Sequence, residues 1–219
     1  INQYTPADQT RGRIAVSPSG NFTVAWDSWQ QDGDEWGVVG RYFGPLGIPE
    51  GSEIQPQNNV YANQIDVAVA RNSSGLTAIV WSSGSVSGTP LGTPDSAIML
   101  QILTASGTPI GPNVMASSWA KFHPAVAVNE AGQVAVVWAD PDPGWRIIGR
   151  IFDSSGIPLG DAFAISETAA TYNEYPKVVA QPGGSFLVAW MSQNFTGLGA
   201  ADDYVRVRRY SATGFPMSG

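Results

Sequence analysis

Cysteine is absent from the 219 residues, histidine occurs once (His123) and lysine twice, Lys121 and Lys177. Without cysteine there can be no disulfide, no thiolate metal site and no cysteine nucleophile. Its absence does not fix the compartment, because exported proteins without cysteine are common. A serine triad would rest wholly on His123, which precedes Pro124 in what reads as a surface loop. Basic residues number 11 against 18 acidic ones, for a formal charge of −7, and no basic stripe is visible. Nucleic acid is therefore excluded as a partner, since its binders must displace phosphate counterions. No run approaches 18 consecutive apolar residues, so no transmembrane helix is expected. No stretch holds a 3.6-residue apolar period, so no helix is expected, and with it goes any phosphate-cradling loop that opens one.

What is present is one stretch written four times: Gly20-Asn-Phe-Thr-Val-Ala-Trp26, Gly75-Leu-Thr-Ala-Ile-Val-Trp81, Gly132-Gln-Val-Ala-Val-Val-Trp138 and Gly184-Ser-Phe-Leu-Val-Ala-Trp190. A period of 50-odd residues points to a propeller or another repeat array. Each unit divides into four short strands, A to D. Strand A covers 1–4, 54–57, 114–117 and 163–166, strand B 13–16, 66–70, 125–128 and 177–180, and strand D 38–43, 98–103, 147–152 and 205–210. Strand C is the repeated Trp stretch. Glycine-bearing turns join B to C, and strand D closes on Gly47-Ile-Pro-Glu-Gly51, Gly107-Thr-Pro-Ile-Gly111, Gly156-Ile-Pro-Leu-Gly160 and a weaker copy at 214–218.

Residues two apart on a strand share a face. Strand C therefore carries Phe22, Val24 and Trp26, and their counterparts in the other units, on one side and smaller groups such as Thr23 and Ala25 on the other. Sheets with one large and one small face interdigitate in a stack, as propeller blades do. The expected fold is all-β, a single domain of residues 1–219 forming a four-bladed β-propeller with repeats at 1–53, 54–113, 114–162 and 163–219. The alternative is part of a larger propeller or an open repeat array.

The sequence resembles the Trp-containing repeats of about 50 residues in β-propeller modules of large secreted and surface proteins of bacteria. The resemblance is carried by the Gly-to-Trp strand, the Gln31-Asp-Gly-Asp34 loop, the Gly40-Arg-Tyr-Phe43 strand and the Gly-x-Pro-x-Gly turn. It implies an extracellular or cell-surface location and a fold that travels without its ligand. An Ile at position 1 fits a processed or excised piece.

The A–B and C–D loops vary in length and should emerge at one end of the sheets, where repeat scaffolds bind. They hold aromatics that the core pattern leaves over. Candidate ligand-binding residues are Tyr61, Trp29, Trp36, Trp119, Trp145, Tyr172 and Tyr175, which could stack on sugars, anchor a protein partner, or cap the sheet interfaces. The same end is acidic. Asp32, Asp34 and Glu35 are the candidate metal ligands, with calcium the cofactor they would take, although an Asp-Gly turn explains Asp32-Gly33 without metal. Arg41, Gln101, Arg150 and Arg208 recur at one position of strand D, for a structural task or, if strand D lined an axis, an anion site.

No catalytic constellation is recognised, so the expected function is that of a non-catalytic binding module making protein–protein or surface-assembly contacts through the loop face. A carbohydrate-binding lectin is the alternative, and a hydrolase using acidic loop residues such as Asp32 and Asp142 is the second.

Overall fold

The computed structural model describes residues 1–58, 63–84, 97–118, 121–142, 144–167, 171–195 and 201–217. Their regular structure is β throughout. Among them no helix is long and apolar enough to cross a membrane.

The strands are β1 (Gln9–Val16), β2 (Phe22–Trp29), β3 (Trp36–Phe43), β4 (Gln64–Arg71), β5 (Thr77–Ser83), β6 (Ala97–Leu103), β7 (Val114–Ser118), β8 (Phe122–Val128), β9 (Val134–Asp140), β10 (Arg146–Phe152), β11 (Phe163–Ala164), β12 (Thr171–Ala180), β13 (Phe186–Phe195), β14 (Ala201–Tyr210) and β15 (Pro216–Met217). They form four antiparallel sheets, β1-β2-β3, β4-β5-β6-β7, β8-β9-β10-β11 and β12-β13-β14-β15. Each sheet begins with strand B of a repeat. Strand A pairs with strand D of the unit before it, as in the Ile54–Gly40 bridge and the β7–β6 and β11–β10 ladders. Sheet boundaries are thus offset by one strand from the sequence repeats.

Gly20, Gly75, Gly132 and Gly184 take φ between 84° and 87°, the left-handed conformation that closes a B–C turn and that a Cβ disfavours. In the middle sheets an asparagine fixes the same turn. The Oδ1 of Asn72 accepts from Leu76 N (3.0 Å), and that of Asn129 from Gln133 N (2.9 Å). Each then reaches the next sheet: Asn72 Nδ2 donates to Asn129 O (3.1 Å) and Asn129 Nδ2 to Gly184 O (2.9 Å).

The core lies between successive sheets, large face against small face. Ala25 and Val38 of the first sheet meet Ile79 and Trp81 of the second. Ala78, Val80, Ile98 and Leu100 meet Val136 and Trp138 of the third. Ala127, Ala135, Val137 and Ile147 meet Phe186, Val188 and Trp190 of the fourth. The architecture is β-propeller-like, with the B strands innermost.

A closed ring of four blades, the expectation from the repeat count, is not what forms. Among the described residues no strand ladder and no shared core joins the fourth sheet to the first. The number of units does not set the angle between sheets. That angle follows from side-chain bulk at each interface, and four such wedges leave an opening.

The strand D column performs a structural task. Arg41 Nε donates to Gly51 O (3.4 Å), Arg150 Nε to Gly160 O (3.2 Å) and Gln101 Nε2 to Gly111 O (3.3 Å), each pinning its own Gly-x-Pro-x-Gly turn. Arg208 instead donates from Nη1 to Ile165 O of the preceding sheet (3.4 Å).

Candidate active site

Each innermost strand is interrupted near its start. The register slips between Thr10 and Arg13 in β1, Ile65 and Ala68 in β4, Phe122 and Ala125 in β8, and Glu174 and Lys177 in β12. At each slip a residue other than glycine takes positive φ: Arg11 (53°), Asp66 (60°), His123 (52°) and Tyr175 (52°). A bulge re-aims a side chain out of the ladder, and left-handed backbone at a non-glycine residue costs about 1–3 kcal/mol unless its surroundings enforce it. Here the strain recurs in all four sheets, at the loop-bearing ends of the strands. Asp66, His123 and Tyr175 line a central channel of about 620 Å³, together with Arg13 and Lys177.

His123 lies between two carboxylates, of which Asp66 lines the channel with it. Its Nδ1 lies 3.4 Å from Asp66 Oδ2, and its Nε2 lies 3.9 Å from Glu174 Oε1. The imidazole packs on Tyr175 with ring centroids 4.4 Å apart. Glu174 Oε1 accepts from the Tyr172 hydroxyl at 2.8 Å. Behind it Tyr172 packs at a tilt on Trp145 (4.6 Å), and Trp145 likewise on Phe122 (5.5 Å). Asn173 N donates to Trp145 O (3.1 Å), tying this aromatic group across the third and fourth sheets.

Asp27, the residue after Trp26, holds the Asp66 bulge from beneath. It is 0% exposed. Oδ2 accepts from Arg11 Nη1 (3.0 Å) and Asp66 N (3.0 Å), and Oδ1 from Val67 N (3.3 Å). One buried carboxylate thereby satisfies two amides that the bulge releases from the ladder.

These surroundings set the proton affinities. Burial pushes Asp27 above the ordinary carboxylate range, against its hydrogen bonds to Asp66 N, Arg11 and Val67 N. Burial also pushes Asp66 up, but the His123 hydrogen bond and the charges of His123, Arg11 and Arg13 outweigh it, and Asp66 is held below its ordinary value. Burial, reinforced by the hydrogen bond and charge of Glu174, pushes the Tyr172 phenol up to about 12, which keeps it a donor to that carboxylate.

A test at acid pH follows. Because its folded-state pKa is depressed, Asp66 contributes stability that is fully present above the unfolded carboxylate pKa and is lost as pH falls through the folded value. Asp27, shifted upward, has the opposite sign and does not add to this acid loss. Urea midpoints followed from neutral pH to about pH 3 should fall less steeply in Asp66→Asn than in the parent protein. Parallel declines would show that the Asp66–His123 pair carries no such stability.

Of the residues singled out in the sequence, Trp145, Tyr172 and Tyr175 gather beside His123 and Glu174. Trp29 and Trp36 form a separate cross-strand pair, edge to face at 5.3 Å, at the outer end of the β2–β3 hairpin. Tyr61 and Trp119 lie outside the described residues. Asp32 is engaged by its own loop and by the next strand A: Oδ1 accepts from Asp34 N (3.4 Å) and Oδ2 from Gln57 Nε2 (3.1 Å), and Glu35 O accepts from Gln30 N (2.6 Å). Among the described residues no three acidic or histidine side chains are grouped to hold a metal ion. Asp140, beside Asp142, is paired with Lys121.

His123 is not a surface-loop residue. It belongs to β8, and the bulge turns it into the channel. Asp66 and Glu174 were not singled out in the sequence. No shared signal marks them: Asp66 is a bulge residue, as His123 and Tyr175 are, whereas Glu174 stands one place earlier, where the second and third sheets have Ile65 and Phe122.

No family model matches the chain, and no curated protein matches it. Solved structures do. A Dyadobacter fermentans protein of unknown function superposes with a TM-score of 0.62 at 12% identity, over 98% of this chain and 68% of that one. The Penicillium chrysogenum α-L-arabinanase complexed with arabinobiose gives 0.61 at 12% identity, over 98% and 67%. A thermostable family-43 glycoside hydrolase gives 0.55 at 14% identity, over 97% and 75%. At these identities the likeness is one of fold. It overturns the expectation of a non-catalytic protein-binding module without a catalytic constellation, because the fold is one that carbohydrate-active enzymes use and its axis carries a histidine between two carboxylates.

Proposed function

We propose that the protein is a carbohydrate-active enzyme that hydrolyses a glycosidic bond at the axial cluster, with Asp66 and Glu174 as its working carboxylates. The observation that carries this reading is the placement of both against one imidazole, with Asp66 and His123 lining the channel on strained backbone and Glu174 next to the strained Tyr175.

Glycoside hydrolysis needs a proton for the departing oxygen and a carboxylate that activates water or meets the developing positive charge. Asp66, held ionised by His123 and the neighbouring arginines, suits the second role. Glu174, fixed by the Tyr172 hydroxyl, supplies the proton. Because an imidazole stands between them, the carboxyl groups face each other without touching. The stereochemistry of the product tells whether they act as an inverting pair, which activates a water, or as a retaining pair, one of which attacks the sugar. The Phe122–Trp145–Tyr172 group offers ring faces on which a sugar beside the cleaved bond can stack.

The test is release of reducing ends from a panel of polysaccharides. Arabinan comes first, because an arabinanase shares the fold, and xyloglucan and uronate-containing polymers follow. Product anomers read by NMR report inversion or retention. Turnover lost in Asp66→Asn and Glu174→Gln supports the assignment, whereas binding to a glycan column without turnover in the parent protein would replace the enzyme by a lectin.

A further inference from the structure

The innermost strands repeat one another position for position, and at one place two of them depart from the other two. Arg13, Ala68, Ala125 and Lys177 are the first residues back in register after the four bulges, opposite Ala25, Val80, Val137 and Ala189. All four line the channel. In the second and third sheets an alanine completes the strand, and Ala125 is buried in the core. Packing therefore does not demand a long cation at this place, yet the first and fourth sheets each carry one.

Neither cation is matched by a carboxylate of its own. Arg13 Nη1 donates to Arg11 O (3.3 Å) and Gly12 O (3.2 Å), which holds the guanidinium against the bulge, and its other N–H groups have no partner among the described residues. The Lys177 ammonium makes no hydrogen bond and no ion pair among the described residues. The other lysine, Lys121, is paired with Asp140. The acids of the cluster are engaged elsewhere, Asp66 by His123 and Glu174 by the Tyr172 hydroxyl. The channel lining thus holds two cations and an imidazole against the single carboxylate of Asp66, in a chain whose formal charge is −7.

We infer that the substrate of this site is an acidic polysaccharide, with Arg13 and Lys177 holding the anionic group of a sugar bound beside the working carboxylates. The inference rests on the hydrolase reading for the place of the cleaved bond. A uronate carboxylate and a sulfate ester offer the same chemistry, an anion with several acceptor oxygens that a guanidinium meets with paired N–H donors. A polyanion approaching a negatively charged protein needs a local field of the opposite sign, and a cleft lined by cations concentrates one there. The same two cations offset the repulsion that Asp66 and Glu174 exert on a charged sugar. A neutral glycan would leave both without a partner.

Affinity electrophoresis of the parent protein tests this, in gels carrying polygalacturonate or its carboxyl-reduced form, and carrageenan or its desulfated form. The expected result is retardation by at least one acidic polymer and not by its neutralised counterpart, weakening as salt rises from about 0.02 to 0.3 M. The polymer that retards the protein tells carboxylate from sulfate. Arg13→Ala and Lys177→Ala introduce the residue that the second and third sheets carry at this position, and each should raise the dissociation constant for that polymer by about 3–10-fold. Equal retardation by the neutralised forms, retardation by none, or full retention of binding in both variants overturns the acidic class. The parent protein and its salt dependence decide even if a variant fails to fold. Hydrolysis is judged separately. Binding of an acidic polymer that both variants weaken, with no glycan cleaved, supports the anion site and removes the hydrolase, whereas cleavage confined to neutral glycans keeps the hydrolase and overturns the acidic class.

Discussion

Replacing Glu174 by glutamine is expected to lower kcat on a cleavable glycan by ~10²–10⁴, the usual worth of a positioned proton donor, with a smaller change in KM. Glutamine keeps the shape of the side chain and an Oε1 that can accept from the Tyr172 hydroxyl, so the local fold should persist while the transferable proton is gone. Asp66→Asn should give a loss of the same order for a different reason. The amide can still lie beside His123, but it cannot abstract a proton from water or meet positive charge. Because the two groups serve one transition state, the double variant should lose far less than the product of the single losses. Trp29→Ala provides the contrast: its ring pairs with Trp36 rather than with the rings beside His123, and it should leave kcat within about twofold if the axis is the reacting centre. Full turnover in Glu174→Gln would remove that residue from the mechanism.

The strands and their faces are legible in the sequence because two residue types mark each unit. Glycine with positive φ sets the start of strand C and tryptophan recurs six residues on, and period-two alternation between them states which side is bulky. Other features carry no local mark. The bulges are invisible because the residue at each differs, Arg11, Asp66, His123 and Tyr175, and none is a glycine that would announce positive φ. Two of the amides they release are satisfied by Asp27, about 40 residues away in sequence, so this part of the site depends on sheets packing before it exists. The pairing of strand A with the preceding unit is hidden too, since a perfect repeat reads the same whichever strand is taken as its first. Among the loop aromatics, Trp145 and Tyr172 were found by being surplus to the core pattern, and that criterion also selected Trp29 and Trp36, which lie elsewhere.

Trp138→Ala is expected to destabilise the protein by about 3–5 kcal/mol, the range for truncating a large aromatic side chain inside a core. The ring is 1% exposed and packs in the same core as Ile98, Leu100 and Ala116 of the second sheet and Val136 of its own. This site is a cleaner probe of packing than its counterparts. Trp26 Nε1 donates to Gln9 Oε1 (2.8 Å) and Trp190 Nε1 to Asn173 Oδ1 (3.1 Å), so truncating either also removes a hydrogen bond. In the third sheet the matching position is Lys121, a cation that cannot accept from an indole. Lys121 pairs with Asp140, and Trp138 Nε1 has no acceptor among the described residues. Its loss therefore breaks no hydrogen bond of the indole, and Trp138→Phe, which like Trp138→Ala discards the unpaired N–H but fills most of the cavity, should recover more than half of the deficit. Urea midpoints of the three proteins, at constant slope, measure both steps. A midpoint for Trp138→Ala within error of the parent would mean that the second and third sheets are not held together at this ring.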